Sequence, residues 1–404
     1  MLTNAASTLL AKHWRANRTP VSDACAALAV DLASAMPGAY VVHVPSCEPV
    51  FDWRIPEYWN VTKATLTAPD GRVIADFADN PICLWAHSIP FSGTLTREEL
   101  EPHIRIGSWH CRNIYRPEVS EWGFSLPAAD WQFAGPGPFT VNIEASIGRG
   151  HMAYVDATIG GKTRNTILLC AHTCHPAQVA DGLANCLLLM DLYNELRDSK
   201  PKYTYRFILG PETFTGLAWL AKNDTDSVVG GLYLDMLAAP SPLMWQESLG
   251  GRDMNRLVRA ALAESGKPYR SVWGNDEKVY SSRPWRMEMP VLARERWGGY
   301  HTASDNPENC PEASWTEAAT ALRDIVRACE EDCAPLIPAN GPACLSRRGL
   351  YGDLWSARER EAVEQLQVFA SGNYLLSEIA VKTGVKFGFL ADMLSRFKEA
   401  GLAK

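Results

Sequence analysis

At 404 residues the chain is long enough for two or three domains and a large buried core. Its 47% hydrophobic and 21% charged residues exclude a disordered or fibrous protein. A formal charge of -7 argues against coating nucleic acid or a membrane surface, and no run of about 18 apolar residues is available to span one.

The opening residues predict helix as far as Ala39, where Pro37-Gly38 stops it. They lack a charged start followed by a sustained apolar stretch, so no signal peptide is expected. The 11 cysteines are scattered (Cys25, Cys47, Cys83, Cys111 and onward) without a Cys-x-x-Cys pair. Free buried thiols and a cytoplasmic location are the expectation. From Val50 to Phe133 the texture turns β-rich, with six of the 14 tryptophans between Trp53 and Trp131. Residues 61–66 alternate in period two, and Asp70-Gly71 then signals a hairpin turn.

Beyond Phe139 strands and helices alternate. Thr140–Ala145 alternates in period two, and Ile167–Ala171 is a continuous apolar run suited to a strand buried on both faces. Leu183, Cys186, Leu187, Met190 and Tyr193 recur at helical spacing. Strands follow at Tyr203–Leu209, Gly231–Leu234 and Pro290–Ala293, with a helix at Leu217–Lys222. This pattern predicts an α/β fold with a mixed, largely parallel sheet covered by helices on both faces. A linker rich in Pro, Ala and Gly spans 334–342, and two amphipathic helices after Asp353 are separated near Gly384 by a short turn, a helix-turn-helix signature.

Groups with chemical potential stand where these strands end. Cys170-Ala171-His172-Thr173-Cys174-His175-Pro176 closes one strand and Asp181 follows it. Glu212 and Asp235 close two others, and His301 follows the last. Ligands of open α/β sheets bind at the carboxyl ends of strands. His and Asp are good zinc ligands, and buried carboxylates need partners. Taken singly, each residue could equally cap a helix; four positions on one sheet edge are better explained by a metal.

Several short motifs, in order, resemble one family. They are the segment from Phe51 through Asp52-Trp53-Arg54-Ile55-Pro56-Glu57-Tyr58-Trp59 to Asn60, Ser88-Ile89-Pro90, Cys174-His175-Pro176, Pro211-Glu212-Thr213, Tyr300-His301-Thr302 and Arg348-Gly349-Leu350-Tyr351. Together they are similar to the zinc aminopeptidase-like superfamily, which includes the di-zinc aminopeptidases and glutaminyl cyclases. The resemblance is closest to a bacterial branch with an inserted β-rich module and a C-terminal winged helix. It implies a zinc exopeptidase-like catalytic domain at 1–49 and 134–335, the inserted module at 50–133, and a winged-helix-like domain at 343–404.

By the same resemblance His175, Asp181, His301 and Asp235 are metal ligands and Glu212 is the general base. The di-zinc relatives carry a second, ligating glutamate after the base, where this chain has Thr213. One zinc ion is therefore expected, with room for a second. His172 and Asp305 are expected behind the ligands, orienting them, and Arg294 and Arg296 are candidates to hold a substrate carboxylate. The implied activity is hydrolysis of an amide or peptide bond in a small peptide or aminoacyl-amide substrate, with zinc activating the water and Glu212 taking its proton.

Three rivals are set against this reading. A cysteine hydrolase would use Cys174 with His175, but neighbours on an extended chain point apart. A regulator would act through the helix-turn-helix, whose second helix mixes Lys386, Arg396 and Lys398 with Asp392 and Glu399, too mixed for phosphate contacts. A degenerate peptidase fold would bind an amino-acid derivative without cleaving it. No nucleic-acid or membrane partner is expected; a homo-oligomer is compatible with the inserted and C-terminal parts.

Overall fold

The computed structural model describes residues 2–107, 119–338, 341–352 and 355–404; Cys111 and Asp353 lie outside them. Its centre is a seven-stranded sheet of β1 (Tyr40–Pro45), β2 (His151–Ile159), β3 (Thr166–His172), β4 (Thr204–Gly210), β5 (Val228–Leu234), β6 (Leu243–Gln246) and β7 (Val291–Arg294), in spatial order β1-β2-β4-β3-β5-β7-β6. The central neighbours β4, β3, β5 and β7 run parallel. The flanking pairs β1–β2, β2–β4 and β6–β7 are antiparallel. The sheet is thus mixed: the predicted parallel order describes its middle, and the unpredicted strands are those added antiparallel at its sides.

Every residue of β3 is buried, as its unbroken apolar run requires. Helices flank the sheet: α1 (Asn4–His13), α2 (Asp23–Ala35), α3 (Leu183–Leu196), α4 (Phe214–Lys222), α5 (Asp253–Leu262) and α6 (Glu312–Glu331). The single helical stretch predicted at the start is two helices. Trp14 ends the first, and the Ser22 hydroxyl accepts the Cys25 amide to cap the second.

The β-rich part forms a second, four-stranded antiparallel sheet of Val73–Asp76, Tyr58–Thr67, Phe139–Gly148 and Phe91–Leu95 in that order. Gly71, at φ +85°, makes the predicted turn between its first two strands. Phe139–Gly148 pairs along Tyr58–Thr67, so this sheet continues past residue 133. The chain passes between the two sheets at one place, where the Ser46 amide donates to the Gly150 carbonyl (2.9 Å) and the Gly150 amide to the Ser46 hydroxyl (2.8 Å).

The C-terminal part holds three helices, α7 (Ala357–Phe369), α8 (Leu376–Thr383) and α9 (Phe387–Glu399), with Gly384 at φ +68° between the last two. Among the described residues no strand follows Arg294. The second helix of the motif lies against α6, with Arg327–Asp392 at 2.6 Å and Lys386–Asp324 at 3.2 Å. No helix among the described residues is long and apolar enough to cross a membrane, and the ten described cysteines are free.

Candidate metal centre

The four parallel strands release their following loops at one edge of the sheet, and the candidate site is built from those loops. β3 ends at His172, and residues 173–182 fold back before α3 begins. Gly182, at φ +103°, is where the loop passes closest, since a Cβ there would stand 2.9 Å from the carbonyls of both His172 and Cys174. Three side chains fix this loop. Arg18, fully buried, donates Nε to the Thr173 carbonyl (3.0 Å) and Nη2 to the Gln178 carbonyl (2.6 Å). Asp305 accepts the amides of Ala180 (2.7 Å) and Asp181 (3.0 Å). Asn185 donates to the Ala180 carbonyl and accepts the amide of Leu237, tying the loop to the segment after Asp235, both at 3.1 Å. Buried polar groups need such partners, and here satisfying them also sets the position of the ligands.

The result is a compact, buried cluster. Asp181 divides its oxygens: Oδ1 lies 3.2 Å from His172 Nε2, and Oδ2 lies 2.9 Å from His301 Nε2. Asp235 Oδ1 approaches the same His172 nitrogen at 3.4 Å. His175 presents Nδ1 3.3 Å from His172 Nδ1 and Nε2 3.9 Å from Glu212 Oε2. Two groups of ligand atoms therefore share Asp181: His172–Asp181–Asp235, and His175–Asp181–His301, the atoms of each lying within 4.8 Å of one another. Buried imidazole and carboxylate at this spacing are a donor set suited to zinc. Asp181 Oδ2 is buried and lacks a hydrogen bond of normal geometry although His301 Nε2 stands 2.9 Å away, and a cation held between such groups would satisfy it.

Backbone strain is concentrated here. His175 (φ +86°), Ala177 (+48°), Thr213 (+65°), Met236 (+53°) and His301 (+57°) all occupy left-handed conformations. Each costs about 1–3 kcal/mol and persists only where its surroundings over-determine it. Thr213 and Met236 directly follow Glu212 and Asp235, so the turns that present both carboxylates are strained ones. The Asp276 carboxylate accepts the Thr213 amide, and Asn275 donates Nδ2 to Asp235 Oδ2. The Thr213 hydroxyl itself is buried without a hydrogen-bond partner.

Charge in the cluster is largely internally compensated. Burial works to raise the Asp181 carboxyl, but the charge of His175 and the close approach of His172 and His301 outweigh it and hold it well below the usual range. Burial works to lower His172, and Asp181 and Asp235 outweigh it in turn. Asp276 is pushed well above the carboxylate range by burial and by the charge of Glu212. The exposed edge is formed by His301, whose side chain is 21% accessible, and Glu212, at 11%.

The structure brings together His172, His175, Asp181, Glu212, Asp235 and His301. His172, expected behind the candidate ligands, has its Nε2 facing the carboxylates of Asp181 and Asp235 directly. Asp305 is directed at backbone amides and not at the His301 ring. Arg294 is buried, with Nε, Nη1 and Nη2 each 2.7 Å from the carbonyls of Leu237, Ser241 and Ser314 and Nη1 2.8 Å from Glu317. Four of its five N–H donors are thus taken, and it braces the segment after Asp235. Arg296 is exposed, reaching the Val272 carbonyl (2.8 Å) over the Trp273 ring. Trp273 packs on Tyr300, which stacks on His301 with ring centroids 3.8 Å apart. Cys174 Sγ lies 3.4 Å from His175 Nδ1, closer than an extended chain allows, because His175 is left-handed. That thiol is fully buried and accepts the Glu212 amide, which leaves it no approach to a substrate.

The chain matches the family described as a domain of unknown function (DUF4910) over residues 9–332. A protein of Clostridium acetobutylicum, provisionally named a polysaccharide biosynthesis protein with an aminopeptidase-like domain, is 27% identical over 377 residues, 87% of this chain and 86% of its own. A crystal structure from the same organism, provisionally described as a peptidase, superposes with a TM-score of 0.86 at 23% identity, covering 99% of this chain and 97% of that one. A zinc aminopeptidase of Bacillus subtilis superposes with a TM-score of 0.56 at 13% identity, covering 80% and 94%. The fold is therefore related to that of the zinc aminopeptidases.

Proposed function

The chain belongs to the DUF4910 family, and on that footing we propose that it is a zinc-dependent hydrolase cleaving an amide or peptide bond in a small amino-acid-containing substrate. The observation that carries the reading is the pair of ligand groups sharing Asp181, with Glu212 at their exposed edge. His172, Asp181 and Asp235 would hold one ion, and His175, Asp181 and His301 a second. The second of these is the set expected for a single ion, and His172, with Asp235, supplies the donors for the other. Bound zinc would polarise the scissile carbonyl and ease deprotonation of water.

Glu212 takes the proton of the attacking water. It returns that proton to the departing amine nitrogen as the new C–O bond forms and the C–N bond breaks. Asp276 and Asn275 keep the two carboxylate-bearing turns in place without touching the reacting atoms. The same reading divides the chain into a catalytic part at 1–49 and 149–335, an inserted module at 50–148, since its sheet extends to Gly148, and a C-terminal helix-turn-helix unit at 343–404. The pairing of Lys386 and Asp392 with α6 supports an intramolecular packing role for that unit over nucleic-acid binding.

Glu212→Gln is expected to retain the wild-type zinc content and lose about 10²–10⁴-fold in turnover of dipeptides and aminoacyl amides. Full activity in that variant, or wild-type protein that takes up no zinc, would overturn the reading.

A further inference from the structure

Phe51 and Trp53 sit on the short hairpin made by Pro49–Val50 and Trp53–Arg54, and they are 56% and 37% exposed. Large exposed rings are costly to leave in water, and adjacent ones mark binding surfaces. Phe51 is also held at φ +55°, a conformation that Gly or Asn would adopt with less strain. A strained backbone at an exposed aromatic residue is a feature found at functional sites.

The rings are anchored to the metal centre's own supports. Trp53 meets Phe214 edge-on, with centroids 5.9 Å apart. Phe214 follows Thr213, and its amide donates to the Glu212 carbonyl at 2.7 Å. Phe51 meets Trp285 at 5.2 Å. Trp285 follows the short helix Glu277–Ser281, which continues directly from Asn275 and Asp276. Phe214 thus belongs to the turn that presents Glu212, and Trp285 to the segment that follows the Asn275–Asp276 support.

We infer that the Phe51–Trp53 tip forms the apolar wall of a substrate subsite that takes a bulky apolar side chain flanking the scissile amide. The inference rests on the hydrolase reading above. It assigns to the β-rich part a role in choosing the substrate and leaves the bond-breaking groups to the central sheet.

The test is calorimetric binding of Phe-Ala, Ala-Phe and Ala-Ala to zinc-loaded Glu212→Gln, alone and combined with Trp53→Ala or Phe51→Gly. At least one phenylalanine dipeptide is expected to bind about tenfold more tightly than Ala-Ala. Trp53→Ala should remove that preference and leave Ala-Ala binding within about twofold. Phe51→Gly should weaken the preference without lowering Tm, since it relieves the strained φ; this arm stands even if Trp53→Ala fails to fold. Equal binding of all three dipeptides, a preference that survives both substitutions, or equal losses for every dipeptide would overturn the subsite and leave the hydrolase reading intact. If no dipeptide binds and the wild-type enzyme turns none over, the hydrolase reading falls and the subsite with it.

Discussion

Asp181 is the residue on which both ligand groups depend, because each of its oxygens faces a different histidine. This makes metal stoichiometry a sharper probe than activity. The wild-type protein is expected to bind two zinc ions, and His172→Ala and His301→Ala one each, at opposite ends of the cluster. Elemental analysis of the three proteins checks this; a single ion in the wild type would restore the one-metal arrangement. Most of the side chains that cluster here were visible in the sequence as His and Asp at strand ends. The place of His172 was not, because a histidine ending a strand and another three residues on cannot be ranked without the turn between them. That turn depends on His175 at φ +86°, a conformation its residue type does not announce. Arg18 and Asn275 were invisible for a different reason: they act through buried hydrogen bonds to residues more than 35 positions away.

At the level of elements, the parallel centre of the sheet was legible because each of its strands is a short apolar run followed by a helix or a turn. The antiparallel strands at its sides were harder. β2 carries Asp156 in its middle, buried and paired with Arg206 Nη2 of β4 at 2.6 Å, and a charge within a run breaks the apolar pattern. The β-rich part contains a testable titrating group in the turn before the strand Phe91–Leu95. His87 lies beside Trp59, with ring centroids 5.7 Å apart and its Nε2 buried without a hydrogen-bond partner. Burial pushes its pKa down to about 4 from the usual 6.5. The neutral ring is then the folded form, so its contribution to stability is present above pH 6.5 and is lost as pH falls through 4. His87→Phe should flatten the loss of Tm over that window relative to wild type; an unchanged pH profile would assign the acid sensitivity elsewhere.

Across the whole molecule, the C-terminal helices are held by a few polar contacts of unequal weight. Asp332, at the end of α6, accepts the amide and hydroxyl of Ser377 at 2.9 and 2.8 Å, and Arg256 donates Nε to the same hydroxyl at 2.9 Å. The Arg327–Asp392 pair is more exposed. Asp332→Ala is therefore expected to cost about 1–3 kcal/mol in unfolding experiments, and Arg327→Ala less than about 1 kcal/mol. Equal losses would mean that the two contacts share the load. The helix pair was visible in the sequence from its periodicity, whereas its docking depends on side chains from α5 and α6 that periodicity does not relate.

The hydrogen bonds joining Ser46 and Gly150 have a consequence for how such a chain can change over time. The excursion between these residues leaves and rejoins the central sheet at neighbouring points of one ladder, where Pro45 stands opposite His151. Beyond the Phe51–Trp53 hairpin and Tyr58–Trp59, which hold to Trp285, Phe214, Asp23 and Val21, what lies between has no need to match the sheet in length or curvature. It is a cassette, open to exchange for another sequence while the ligand loops keep their register, so new selectivity could evolve without rebuilding the catalytic groups.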